Sequence, residues 1–206
     1  MHTSILEPTS RRARVIKWRV VDIVVASVIA VAAGVVFWVW DQASNPIGAP
    51  ITALLPGFQG IINGPWLFAG VLGGLVIRKP GAALFTELVA ALVSTLMVNQ
   101  FGASTLLSGL TQGLGAEIVF ALFLYSNWRW YVALLAGAGA GIAESITDLL
   151  VWFPGSKPEF AIIYAITTTL SGLVVAGLGS WLIVRALART GALSRFAAGR
   201  ETTARV

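Results

Sequence analysis

"VVDIVVASVIAVAAGVVFWVW" occupies residues 20–40, and apart from Asp22 and Ser27 it is apolar throughout. A helix of this length rises far enough to cross the ~30 Å hydrocarbon layer of a bilayer. Five further apolar runs follow, at about residues 55–77, 81–99, 105–125, 130–153 and 160–185, the second broken by Gly64-Pro65. The spacing predicts an all-α membrane protein of six transmembrane helices. The first run is too long for a cleaved signal peptide, and no small-residue cleavage site follows it before the next charged turn.

Composition agrees. Hydrophobic residues make up 57% of the chain and charged residues 11%, with a mean hydropathy of +0.84. A soluble domain carries roughly 25% charged residues. The net charge of +5 is distributed in a way that reports topology rather than nucleic-acid binding. Arg11, Arg12, Arg14, Lys17 and Arg19 precede the first run, Arg78 and Lys79 separate the second from the third, and Arg129 separates the fourth from the fifth. Arg185, Arg189, Arg195, Arg200 and Arg205 follow the last, and only Lys157 falls on the opposite side. The positive-inside rule then places both termini in the cytoplasm of a cell-membrane protein. The chain divides into a basic segment (1–19), a six-helix domain (20–185) and a basic tail (186–206).

The connection after the first run carries Pro46, Pro50, Pro56 and Pro65 among Gly48, Gly57, Gly60 and Gly64. This density argues against a continuous helix. Yet residues 41–63 also hold Ile51, Leu54, Leu55, Phe58, Ile61 and Ile62, so the expected loop either packs into the membrane face or folds over a cavity as a lid.

Acidic residues are the most informative feature. Asp22, Glu87, Glu117, Glu144 and Asp148 lie within or at the edges of the spans, and no span carries a lysine or arginine in its central part. A charge at the bilayer centre costs at least ~2.5 kcal/mol. Each carboxyl must be protonated, satisfied by neighbouring donors, or matched by a cationic ligand. Asp22 sits beside Arg19 and reads as a local ion pair. Glu144 and Asp148 are four apart and share one helix face. Ala26, Ala30 and Gly34 form a small-residue ridge, suited either to internal packing or to a docking partner.

Enzymatic readings find no apparatus. There is no cysteine, and the single histidine is His2. A serine protease of the membrane lacks its base, an aspartyl protease lacks the mate of Asp148, and no metal-binding cluster is spaced along the chain. The glycines of "AGAGAGIAES" (136–145) have neither a preceding strand nor a following Lys-Ser/Thr, which excludes a phosphate loop. No catalytic residue, metal or cofactor is expected.

"IINGPWLFAGVLGGLVIRKPGAALFTELVAALV" (61–93) followed by "LLSGLTQGLGAEIVFALF" (106–123) resembles the YkoE family of S-components, the substrate-binding membrane subunits of energy-coupling factor (ECF) transporters. The blocks "IRKPGAAL", "TEL" and "QGLGAEIVFALF" carry the likeness, which extends over about residues 18–185. The resemblance implies an S-component-like bundle that captures thiamine or its hydroxymethylpyrimidine (HMP) precursor from outside. It also implies a transmembrane T-component, two ATPase subunits that hydrolyse ATP, and release of cargo by toppling in the membrane. It assigns T-component contact to Ala26, Ala30 and Gly34, and a gating role to the loop around 46–63.

Thiamine joins a permanent cation to an aminopyrimidine, which calls for carboxylates, aromatic faces and paired donors and acceptors. The candidate substrate-binding residues are Glu87, Glu117, Glu144 and Asp148 for charge and amine recognition. Gln112, Asn63 and Asn99 are candidates for hydrogen bonding, and Trp66, Trp40, Trp152 and Tyr164 for stacking. Three rival readings stand beside this one, one of them a structural or assembly subunit that binds no ligand. The Met1-His2 start matches that of nickel and cobalt S-components, although their terminus is exterior and further histidines follow it. The buried acids would also suit a proton-coupled exporter of cationic compounds.

Overall fold

The computed structural model describes residues 17–199. The expectations for His2, Arg11, Arg12, Arg14, Arg200 and Arg205 fall outside the described residues. Among the described residues every regular element is helical. Helix α1 spans Val20–Leu54. Two 3₁₀ turns, Phe58–Ile62 and Gly64–Trp66, lead to α2, Phe68–Ile77. Helices α3 (Ala82–Leu96), α4 (Ser104–Leu122) and α5 (Trp130–Val151) follow. Helix α6 runs from Pro158 to Arg189 and includes a π-helical stretch at Gly172–Leu178. Helices α1, α4, α5 and α6 are long and apolar enough to cross a membrane, while α2 and α3 are shorter.

One expectation is overturned and a second is refined. The first helix does not end near Trp40 but continues for 35 residues through Pro46 and Pro50. Proline's φ suits a helix, and what it costs is the amide hydrogen and room for the preceding turn. The carbonyls that lose an intrahelical amide are those of Gln42 and Pro46, and polar side chains bond other carbonyls close by. Ser44 Oγ and Gln100 Nε2 donate to the Asp41 carbonyl at 3.0 and 2.8 Å, and Thr52 Oγ1 donates to the Gly48 carbonyl at 3.0 Å. Asn45 Nδ2 donates to Gln100 Oε1, which ties the α3–α4 connection to the helix. Proline inside a membrane helix is tolerated beside such bonds. The second concerns residues 55–77, expected as one run broken at Gly64-Pro65, which are not one continuous helix. Only the ten residues of α2 are α-helical, about 15 Å of rise. Ala69 to Ile77 are all buried, so the segment is apolar on every face because it runs through the middle of the bundle.

Helix α2 contacts α1, α3, α4 and α6, and the apolar core gathers around Leu67, Val71, Leu75, Val76, Phe120 and Val132. Small residues set the close crossings. A Cβ at Gly34 would lie 2.6 Å from Val93 Cβ and 2.7 Å from the Ala90 carbonyl of α3. Ala26 and Ala30 are fully buried. The ridge assigned to the T-component is therefore covered by the bundle itself, because α1 and α3 approach backbone to backbone.

At one end of the bundle the chain's basic residues meet. Lys79 Nζ donates to the Lys17 carbonyl and to Asp22 Oδ2, Arg78 lies over the Trp128 ring, and Arg19 lies over Phe196. Leu193 and Phe196, beyond α6, are buried against this end, so the described part of the tail packs on the core.

Candidate functional site

At the opposite end lies a cavity of about 840 Å³, within the range of small-molecule sites. The second half of α1 forms one wall, from Phe37 to Ala53; Gln59 to Trp66, Phe101, α4, α5 and Tyr164 of α6 complete it. Asp41, Glu144 and Asp148 line it, and among the described lining residues none is Lys, Arg or His.

The three acids are held differently. Asp41 Oδ1 accepts Trp66 Nε1–H at 2.7 Å and Oδ2 accepts Ser94 Oγ–H at 2.9 Å. Asp148 Oδ2 accepts Tyr164 O–H at 2.5 Å, and Tyr164 in turn accepts from Asn63 Nδ2 at 2.8 Å. Asn63 also donates to Thr168 Oγ1 at 3.3 Å. Glu144 shares the cavity lining with Gln112, and Glu87 stands outside that lining. Glu144 Oε2 has no hydrogen-bond partner among the described residues, although the residue is 6% exposed. A buried polar atom without a partner costs about 1–3 kcal/mol, which a ligand donor would recover.

Aromatic rings form a continuous edge-to-face series along the cavity: Trp40 to Trp66 at 6.4 Å, Trp66 to Phe101 at 5.8 Å, and Phe101 to Trp152 at 5.6 Å. Phe153 and Tyr164 adjoin at 5.2 Å. These spacings fall in the favourable range for ring pairs. The Tyr164 ring stacks on Phe160.

Of the residues expected at the site, Glu144, Asp148, Gln112, Asn63, Trp66, Trp152 and Tyr164 line this cavity together. Four do not. Glu117 Oε1 accepts from Gly81 N–H and Tyr125 O–H, and Oε2 from Ala83 and Leu84 N–H, at 2.6 to 3.3 Å. It closes the amino end of α3, where free amides and the helix dipole favour an anion. Asn99 accepts from the Phe101 and Gly102 amides and donates to Ser94 and Thr105, shaping the α3–α4 connection. Trp40 donates to the Ile62 carbonyl at 3.0 Å and buttresses Trp66 from behind. Glu87 Oε2 accepts Gly70 N–H at 2.5 Å, while its Oε1 is unpartnered in a residue only 1% exposed; it stands behind the cavity wall.

Sequence reasoning missed Asp41, Phe101 and Asn45. All three fell in segments read as loop. The usable sign was Asp41 followed at helical spacing by Ser44 and Asn45, polar groups on one face of a helix that had not ended. Among the described residues no three His, Asp or Glu side chains converge to hold a metal.

Comparisons with known proteins bear on this geometry. Residues 21–143 match the family described as ABC-type cobalt transport system, permease component. The chain is 36% identical over 188 residues to YkoE of Bacillus subtilis (strain 168), named as an HMP/thiamine permease protein, covering 89% of this chain and 92% of that one. A crystal structure of an S-component of an ECF transporter superposes with a TM-score of 0.84 at 34% identity, over 92% of this chain and 95% of the other.

Proposed function

We propose a transport function on one premise: this chain belongs to the YkoE family of ECF-transporter S-components. It is the substrate-binding membrane subunit, and it captures thiamine or HMP from outside the cell. A T-component and two ATPase subunits complete the importer. All six helices traverse the membrane, with α2 prolonged by the 3₁₀ turns. Both termini are cytoplasmic, so the cavity end faces outward. The clustering of Lys17, Arg19, Arg78 and Lys79 at the other end supports that orientation.

One observation carries the reading. Three carboxyl groups and a wall of aromatic rings enclose one cavity whose described lining supplies no positive side chain. A neutral aromatic ligand would satisfy the rings, but a ligand with a positive charge or strong donors also offsets the cost of the buried acids. The cobalt description of the matching family favours a second reading, in which a divalent cation is the cargo. Carboxylate and amide oxygens suit hard cations, whereas the aromatic series has no part in coordinating one.

Titration of the full-length protein in detergent, followed by tryptophan fluorescence, separates the two, because Trp66 and Trp152 line the cavity. Saturable quenching by submicromolar thiamine or HMP, with no response to Co²⁺, is expected. Saturation by Co²⁺ with no response to either organic ligand rejects the vitamin reading.

A further inference from the structure

Helices α5 and α6 change character at the same level of the bundle's basic end. They cross with no side chain between them. A Cβ at Gly137 would strike the Gly172 carbonyl, and one at Gly177 would lie 2.7 Å from the Ala133 carbonyl. These pairings make the helices antiparallel and set their register. Trp181, four residues past Gly177, stands level with Arg129 and Trp130, four and three residues before Ala133. Toward the cavity end, both helices turn apolar side chains outward, Leu135 and Ile142 on α5 and Val174 and Leu178 on α6. At the shared level sit Trp130, 54% exposed, and the half-buried Trp181. Around and beyond it come Arg129, Arg185 and Arg189, all exposed. Apolar, then aromatic, then basic is the order of groups met on leaving a bilayer.

These arginines differ from the cations beside α1. There, Asp22 takes both Arg19 and Lys79. Arg129, Arg185 and Arg189 meet no carboxylate among the described residues. Arg185 and Arg189 are four apart and share a helix face, and Arg185 Cζ lies 4.6 Å over the Trp181 ring. The indole holds the planar guanidinium by its face and leaves the N–H edges free to bond. The carboxyl end of α6 carries about half a negative charge, too little to match two guanidinium groups. A phosphate does match, because its oxygens accept the guanidinium fork in pairs. A free phosphate would engage the arginines and leave Trp130 and the apolar strip uncovered. A phospholipid engages all three.

We propose that this corner of the bundle is a binding site for an anionic phospholipid. Arg185 and Arg189 take the headgroup phosphate, and Arg129 adds charge beside it. Trp130 and Trp181 lie at the depth of the glycerol, and an acyl chain runs along Leu178 and Val174. The site requires this end of the bundle to lie at a membrane surface, as in the topology proposed above, and it is independent of the cargo.

The test titrates phosphatidylglycerol onto the delipidated full-length protein in a neutral detergent and reads bound lipid by native mass spectrometry. Phosphatidylcholine and inorganic phosphate are run beside it. The wild type should hold phosphatidylglycerol roughly tenfold more tightly than phosphatidylcholine, and an equal concentration of inorganic phosphate should not displace it. R185Q and R189Q should each weaken phosphatidylglycerol binding roughly fivefold, and the double variant roughly thirtyfold. K157Q, which removes a charge from the opposite end, should bind as the wild type does. All three positions are exposed, and an unchanged melting temperature without lipid shows that each variant folds. Equal binding of the two lipids, an equal loss in K157Q, or full binding by the double variant overturns the site. Displacement by inorganic phosphate assigns the arginines to a free anion and overturns the lipid. No readout involves a vitamin, so failure of the transport reading and failure of this site are separate results.

Discussion

Two sets of buried acids sit at opposite ends of this bundle. At the basic end, Asp22 takes Arg19 Nη2 at 2.7 Å on one oxygen, and Lys79 and the Arg19 amide on the other. Glu117 accepts three backbone amides and a tyrosine hydroxyl. At the cavity end, Glu144, which lines the cavity, keeps an oxygen with no partner among the described residues. Burial of a carboxyl in a membrane protein therefore does not by itself mark a binding site. An unmet acceptor facing a hollow does, because only that atom gains when a ligand arrives.

Substitutions can break or sharpen this contrast. The largest effect belongs to D22N. It leaves Lys79 buried without its counter-charge, and loss of one partner from a buried pair costs about 3–5 kcal/mol. A pronounced fall in thermal stability in detergent is expected, and an unchanged melting temperature would show that Lys79 finds water instead. E144Q comes next and acts in the other direction. Folding should hold, since no salt bridge is broken, while thiamine and HMP both bind roughly thirtyfold more weakly from the loss of about 2 kcal/mol of charged hydrogen bonding. A drop in stability with intact affinity would place Glu144 among the structural acids. The smallest effect is that of E117Q, a loss of about 1 kcal/mol of stability from weakened amide capping, with ligand affinity unchanged. Reduced affinity in E117Q would dissolve the distinction between the two ends.

Much of the fold was legible in the sequence, and the reason is periodicity. Helices α3 to α6 lie within a few residues of the apolar runs, because lipid demands about 20 apolar residues per crossing whatever the partner helices are. The first half failed where that demand lapses. Helix α1 extends past Trp40 with polar residues on the cavity side, so hydropathy ended it too early and Asp41 was lost with it. Proline was read as a breaker, but the helix continues through Pro46 and Pro50, and Gln100, 59 residues beyond Asp41, bonds the Asp41 carbonyl and the Asn45 side chain ahead of Pro46. The site was legible in part. Glu144 and Asp148 share a helix face by spacing alone, and both reach the cavity. Glu117 looked equally suited, and only the amides of residues 81–84 show otherwise. Ala26, Ala30 and Gly34 gave the same pattern that either a docking ridge or an internal seam would give.

Taken alone, the amino-acid order determined that this chain enters a membrane, that it does so as helices, that its basic residues fall mostly between and outside the apolar runs, and that several acids lie in spans whose central parts carry no lysine or arginine. Those properties depend on local composition and on the free energy of moving groups from water into hydrocarbon. The tertiary structure decided which acids are matched and which are left open. A hydrogen bond between Asp41 and Ser94, or between Gly81 and Glu117, joins residues 53 or 36 positions apart, and such a pairing exists only once the helices have packed.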